Sequence, residues 1–139
     1  TTWSQIPNTL VSIDPLEEYV NQNVTHTFTL DNDLINGIPF DHHVINEEFK
    51  LNQIYYFEII NRSRENHSFH VHNARFLIME INNRRVDFTE IGWKDTIYLK
   101  PGESKIIQIQ FKHTGLFMLH CHILIHEEQG MMHKFQVIE

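Results

Sequence analysis

Residues 120–131 of the chain read HCHILIHEEQGM and hold its only cysteine together with three histidines and a methionine. A thiolate, imidazoles and a thioether within one short stretch form a ligand set that suits copper. The flanking residues 116–119 and 134–138 are rich in apolar and aromatic side chains, which predicts a β-strand on each side. The stretch is therefore expected to lie at the end of one strand and in the loop that leads to the next.

The order of residues within this stretch predicts two sites rather than one. Successive side chains of a β-strand point to opposite faces of the sheet. If the strand extends through residue 122, His120 and His122 share one face and Cys121 points to the other. His126 and Met131 follow in the loop, which can fold back to the cysteine side.

A second histidine cluster, residues 67–72 with the sequence HSFHVH, complements the first. In an extended strand His70 and His72 share a face, and His67 points the opposite way. One face then combines a cysteine, two histidines and a methionine, which is the ligand set of a blue-copper site with a long axial methionine. Its members are Cys121, His67, His126 and Met131. The opposite face collects His70, His72, His120 and His122.

Two alternatives to copper are a zinc site and a set of surface histidines without a metal. Structural zinc sites in proteins usually use cysteines paired at short spacing, and this chain has one cysteine. Surface histidines alone would not explain why two motifs, H-x2-H-x-H and H-C-H-x3-H-x4-M, occur complete in one short chain. Both alternatives are therefore disfavoured.

These two motifs resemble the ligand motifs of the multicopper oxidase family, in particular those of its C-terminal (third) cupredoxin domain. The likeness extends to residues 28–40 and 92–96 and is greatest for the bacterial laccase and cuprous oxidase branch. The resemblance implies an all-β, cupredoxin-like Greek-key sandwich or barrel over residues 23–139. It also implies that residues 1–22 form a linker or inter-domain segment.

The resemblance also implies a role for each candidate residue. A type 1 copper would be held by His67, Cys121, His126 and Met131. A type 2 copper would be bound by His70, and a type 3 pair by His72, His120 and His122. Electrons would pass through Cys121 to the adjacent histidines, and Glu127 would act in catalysis by relaying protons to oxygen.

The chain supplies only half of the ligands that the family's trinuclear cluster needs, and it contains no further H-x-H pair. The adjacent His42 and His43 would face opposite ways in an extended strand. His26, His113 and His133 stand alone and are expected at the surface. The resemblance therefore implies N-terminal cupredoxin domains as partners, on the same or on a cleaved chain.

The expected function is that of a type 1 copper domain in a laccase-like oxidoreductase. It would take single electrons from a phenolic or metal-ion reductant and pass them to a cluster that reduces O2 to water. One alternative is a stand-alone blue-copper electron-transfer protein, which would leave four same-facing histidines unexplained. Another is a copper-storing module without turnover. Trp93 and Asp95 are interpreted as shaping the substrate side or the domain packing, or as purely structural.

Composition and periodicity limit the remaining possibilities. A length of 139 residues indicates one domain, and a formal net charge of −7 disfavours nucleic-acid binding. No apolar run is long enough to span a membrane and no signal peptide is visible, although the resemblance suggests the cell envelope. Strands are predicted at residues 54–60, which are rich in β-branched and aromatic side chains, at 76–81 and 95–99, and at 104–111, where the residues alternate with period 2. Their regular spacing favours an antiparallel sandwich or barrel.

Overall fold

The protein is described by a computed structural model that covers residues 14–19, 24–87, 91–121 and 131–139. Within these ranges it contains eleven β-strands in two sheets, which confirms the all-β prediction. The strands are β1 His26–Asp31, β2 Leu34–Ile35, β3 Glu47–Lys50, β4 Ile54–Asn61, β5 His67–Val71, β6 Phe76–Ile81, β7 Arg84–Arg85, β8 Thr96–Leu99, β9 Ser104–Gln110, β10 Gly115–Cys121 and β11 Met132–Ile138.

The sheets contain six and five strands, in the orders β2-β1-β4-β9-β6-β7 and β3-β11-β10-β5-β8. Most neighbours run antiparallel, but β1 pairs with β4 and β11 pairs with β3 in parallel. The expectation of a purely antiparallel architecture is wrong at these two pairings. Parallel neighbours require a crossover connection, and strand periodicity does not indicate which strands a crossover joins.

Aromatic side chains fill the core, where Phe49 stacks on Phe111 with ring centroids 4.9 Å apart. The predicted inward face of β9 is confirmed, because Ile107, Ile109 and Phe111 are fully buried. Burial of each such side chain contributes about 1.5–3 kcal/mol. Cys121 belongs to this cluster, so the cysteine side of β10 is part of the hydrophobic core.

The outer face of the six-stranded sheet is covered by residues 14–19. The Tyr19 hydroxyl donates to the Glu80 carboxylate, and the Leu16 N–H donates to the side-chain oxygen of Gln108 at 2.8 Å. Burial and the nearby Glu80 raise the pKa of Tyr19. Part of the segment predicted as a linker therefore packs firmly on this sheet.

Two of the three histidines expected at the surface are wholly or partly buried. His133 is only 1% exposed, because it occupies an inward position of β11, and its Nε2–H donates to the carbonyl of Ile35 at 3.0 Å. Burial lowers the pKa of His133. His26 is partly buried and packs edge-on against Phe49, whereas His113 is exposed as predicted.

The predicted turn at Pro101-Gly102 is present, and Gly102 adopts a φ of +78° that favours glycine. The Gly102 N–H donates to the Asn61 carbonyl at 2.8 Å, and the Asn61 N–H donates to the Glu103 carbonyl at 2.9 Å. This turn therefore fixes the end of β4, from which the chain passes to the histidines of β5. The described part of the chain has no helix with the length and apolarity needed to cross a bilayer.

Candidate metal centres on the two faces of one strand

The cysteine side of β10 brings together three of the four residues predicted for one site. The Cys121 thiol is fully buried, and its Sγ lies 3.5 Å from Nδ1 of His67, which is 1% exposed. Met131 is also fully buried in the same cluster, and its carbonyl accepts the Cys121 N–H at 3.1 Å. These side chains share a closed, apolar environment.

A hydrogen-bond network orients the His67 ring. Its Nε2–H donates to the Ser63 hydroxyl at 2.8 Å, and that hydroxyl donates to the side-chain oxygen of Asn61 at 2.7 Å. Asn61 is fully buried and its side-chain N–H donates to the Glu65 carbonyl at 2.7 Å. With Nε2 protonated, the lone pair of Nδ1 faces the sulfur. Such outer partners fix the tautomer and orientation of a metal-binding histidine.

The opposite side of the same strands brings together His70, His72 and His120. His120 and His70 are paired across β10 and β5, and one ring nitrogen from each of the three histidines lies within 4.8 Å of the others. The Nε2 atoms of His72 and His120 are 3.0 Å apart. Three imidazoles therefore converge on one point at the surface.

The second ring nitrogen is held by the protein in two of these histidines. His70 Nδ1–H donates to the Asp95 carbonyl at 2.8 Å and lies 2.9 Å from the Thr96 hydroxyl, which donates to the Asp95 carboxylate at 3.0 Å. His120 Nδ1–H donates to the Cys121 carbonyl at 3.0 Å. Both arrangements leave Nε2 with a lone pair directed at the shared point.

The family model described as multicopper oxidase matches residues 12–139. The chain belongs to the multicopper oxidase family. The multicopper oxidase mco of Staphylococcus haemolyticus is 40% identical over 111 residues, which cover 77% of this chain and 25% of that protein. A laccase of Haloferax volcanii is 32% identical over 126 residues, covering 82% of this chain and 22% of that protein.

Solved structures of multicopper oxidases share the fold. The enzyme from Pediococcus acidilactici superposes with a TM-score of 0.79 at 30% identity, covering 91% of this chain and 29% of that one. A multicopper oxidase from Campylobacter jejuni, described as a metallo-oxidase, gives 0.82 at 26% identity over 94% and 32% of the two chains. The cupredoxin-like fold is thereby confirmed. The chain spans about a quarter of the length of the curated relatives it matches.

The donor chemistry of both sides fits the copper that the family name implies. The cysteine side combines a thiolate, an imidazole and a thioether, which are soft and borderline ligands. The histidine side offers imidazoles, which also suit copper. The histidine side borders an open cavity of about 970 Å³, which is lined by His70, His72, Trp93 and Phe117, among others.

Three predicted site residues, His122, His126 and Glu127, lie outside the described residues. Their assigned roles stay predictions. Of the residues that sequence reasoning did not identify, Ser63 and Thr96 stand out, because each hydroxyl contacts the far nitrogen of a candidate ligand. A hydroxyl four residues before His67 in a polar loop was the available signal for Ser63.

The expectation for His42 and His43 is wrong. Both lie in a turn rather than an extended strand, so adjacent side chains are not forced to opposite faces. Their ring centroids are 4.0 Å apart, and Asp41 offers a carboxylate oxygen within 4.8 Å of a nitrogen from each ring.

Proposed function

We propose that this chain is the type 1 copper domain of a multicopper oxidase. It takes single electrons from a phenolic or metal-ion reductant and contributes half of the ligands of a trinuclear cluster that reduces O2 to water. One observation carries the proposal: the Cys121–His67 pair and the His70–His72–His120 group lie on opposite faces of the same two strands.

On the cysteine side, His67, Cys121 and Met131 would hold the type 1 copper, together with His126 as the family resemblance suggests. The described members of this set are buried in the aromatic core, which keeps water and other ligands away from the sulfur. The hydrogen bond from His67 to Ser63 fixes the ring before metal binds. This preorganisation favours one ligand geometry over others.

The peptide that joins His120 to Cys121 connects the two sides. When bound, the coppers would supply one-electron acceptance on the cysteine side and oxygen reduction on the histidine side. Cys121 and His120 are bonded neighbours with side chains on opposite faces, so the backbone provides a short covalent path between them. The hydrogen bond from His120 Nδ1–H to the Cys121 carbonyl, at 3.0 Å, adds a second path.

On the histidine side, His70 would bind the type 2 copper, and His72 and His120 with His122 would bind the type 3 pair. The remaining ligands would come from N-terminal cupredoxin domains of the same enzyme, on the same or on another chain. The open cavity and the exposed position of His72 support this part of the proposal. The chain also covers only 25% of a curated relative, which supports the presence of further domains. Glu127 would relay protons to oxygen.

The experiment is aerobic loading of the purified protein with copper, followed by visible spectroscopy. We expect an intense thiolate-to-copper band that is absent in Cys121→Ser. The variant His113→Gln, which removes an exposed imidazole outside the proposed ligand set, serves as the matched control and should keep the band. A copper-loaded protein without the band, or a band that survives in Cys121→Ser, would contradict the proposal.

A further inference from the structure

We propose that the turn formed by Asp41, His42 and His43 binds a divalent transition-metal ion such as Zn²⁺, Ni²⁺ or Cu²⁺. This site, named here the Asp41–His43 turn, is separate from both sides of β10. All three side chains are exposed, and one potential ligand atom from each lies within 4.8 Å of the other two. The proposal does not depend on the proposed oxidase function.

The spacing of the three groups is close to that of a bound metal. A zinc ion bonds to histidine nitrogen and carboxylate oxygen at about 2.0–2.2 Å, so two ligands on one tetrahedral ion are roughly 3.3 Å apart. The ligand atoms of the turn lie within 4.8 Å of one another, so they need to approach by at most about 1.5 Å. Exposed side chains make such an adjustment by small rotations, without movement of the backbone.

The backbone of the turn is held by three hydrogen bonds, one of which uses the Asp41 side chain. The His43 N–H donates to Oδ1 of Asp41 at 2.9 Å, and the Val44 N–H donates to the Asp41 carbonyl at 2.9 Å. The Lys134 ammonium group donates to the His42 carbonyl. Because the turn is formed in advance, metal binding does not have to order it, and this lowers the entropic cost of binding.

The donor set determines the class of ion. Two imidazoles and a carboxylate suit zinc, nickel and copper(II), whereas copper(I) prefers the thiolate and thioether ligands that this turn lacks. Three protein ligands leave at least one coordination position for water. The turn is therefore expected to exchange its ion readily.

The Lys134 contact places the turn relative to β11. Lys134 lies near the start of β11, three residues after Met131, so the ion would lie at the same end of β11 as Met131.

The test is a zinc titration of the purified protein by calorimetry, with amide resonances followed by nuclear magnetic resonance. We expect shifts at residues 41–46 and the loss of one zinc equivalent in the double variant His42→Asn/His43→Asn. The control His113→Asn removes an exposed imidazole elsewhere and should keep the full zinc count. Asp41→Asn preserves an acceptor for the His43 N–H but removes the charge, so we expect a zinc affinity at least ten-fold weaker.

Two results would overturn the proposal. One is an unchanged zinc count in a folded double variant, and the other is a set of shifts confined to residues 67–72 and 120. If the double variant does not fold, Asp41→Asn decides the question, because unchanged affinity in that variant excludes the carboxylate from the site. Failure here leaves the visible band of copper-loaded protein untouched, so the two proposals are tested independently.

Discussion

The two sides of β10 differ in how completely this chain encloses them. On the cysteine side, Cys121, His67 and Met131 are at most 1% exposed and packed among core aromatics. On the histidine side, His72 is exposed and a large open cavity adjoins the rings. Among the described residues, the same two strands therefore present one enclosed side and one open side.

This difference indicates how the described residues orient the candidate ligands on each side. On the cysteine side, the buried thiol lies against an imidazole that a hydrogen-bonded hydroxyl orients. On the histidine side, His70 is oriented by Asp95 and Thr96, and His72 is exposed beside the open cavity. The cysteine side should therefore respond to changes in packing, and the histidine side to changes in orientation.

The largest expected effect contrasts a packed residue with an exposed ligand. Phe69→Ala removes a fully buried ring that pairs across the strands with Cys121, and it should lower the free energy of unfolding by about 3–5 kcal/mol. His72→Ala removes an exposed side chain and should change it by less than about 0.5 kcal/mol in the metal-free protein. Urea denaturation measures both. Equal losses of unfolding free energy in the two variants would contradict the difference in burial between the two sides.

The next effect concerns the hydroxyl behind His67. Ser63→Ala removes the acceptor of the His67 Nε2–H, so the ring can rotate away from the sulfur. We expect copper affinity on the cysteine side to fall by up to about 100-fold, with no change on the histidine side. Competition with a chelator, monitored at the thiolate band, gives the affinity. Ser104→Ala, on β9, is the matched control, and an equal loss there would refute the role of Ser63.

A smaller effect is expected at the corresponding position on the histidine side. Thr96→Val preserves side-chain shape but removes the hydroxyl near His70, while the Asp95 carbonyl still accepts the Nδ1–H. Metal affinity on the histidine side should fall by about 10-fold, the low end of such effects. Zinc calorimetry in a Cys121→Ser background measures it. If Thr96→Val alone, without the Cys121→Ser change, lowered copper affinity on the cysteine side, that result would argue against separate sites.

The smallest effect is the pH dependence of stability that comes from His26, a packed histidine outside the proposed ligand sets. Burial lowers the pKa of His26 below 6.5, so the folded protein binds fewer protons than the unfolded chain just below that pH. Its stabilising contribution is therefore complete above pH 6.5 and is lost as the pH falls through the lowered pKa. The facing Glu47, at 3.9 Å, has a pKa raised by burial.

His26→Gln should consequently reduce the dependence of unfolding free energy on pH below about pH 6.5, measured by urea denaturation of metal-free protein. A slope equal to that of the native protein would show that packing around His26 does not disfavour its charge.

Much of this arrangement could be predicted from strand alternation. The inward positions Ile107 and Ile109 of β9 follow from its period-2 pattern, and the separation of Cys121 from His120 follows from their adjacency in a strand. Both features depend only on local geometry. The predicted roles of His122, His126 and Glu127 concern residues outside the described part of the chain and stay predictions.

Other features depended on contacts that no local pattern contains. Gln108 is fully buried because residues 14–19 cover the second face of its sheet, and a strand pattern does not show what covers its far side. His133 is buried because it occupies an inward position of β11, although an isolated histidine is usually exposed. His42 and His43 meet because their backbone turns, so the rule for extended strands did not apply.

The account rests on the independence of the two sides, and the visible spectrum of copper-loaded His70→Asn/His72→Asn tests it most directly. The account predicts that this variant keeps the thiolate-to-copper band of the native protein at full intensity while binding less copper in total. Loss of the band together with the copper of the histidine side would contradict it, and so would an unchanged copper count.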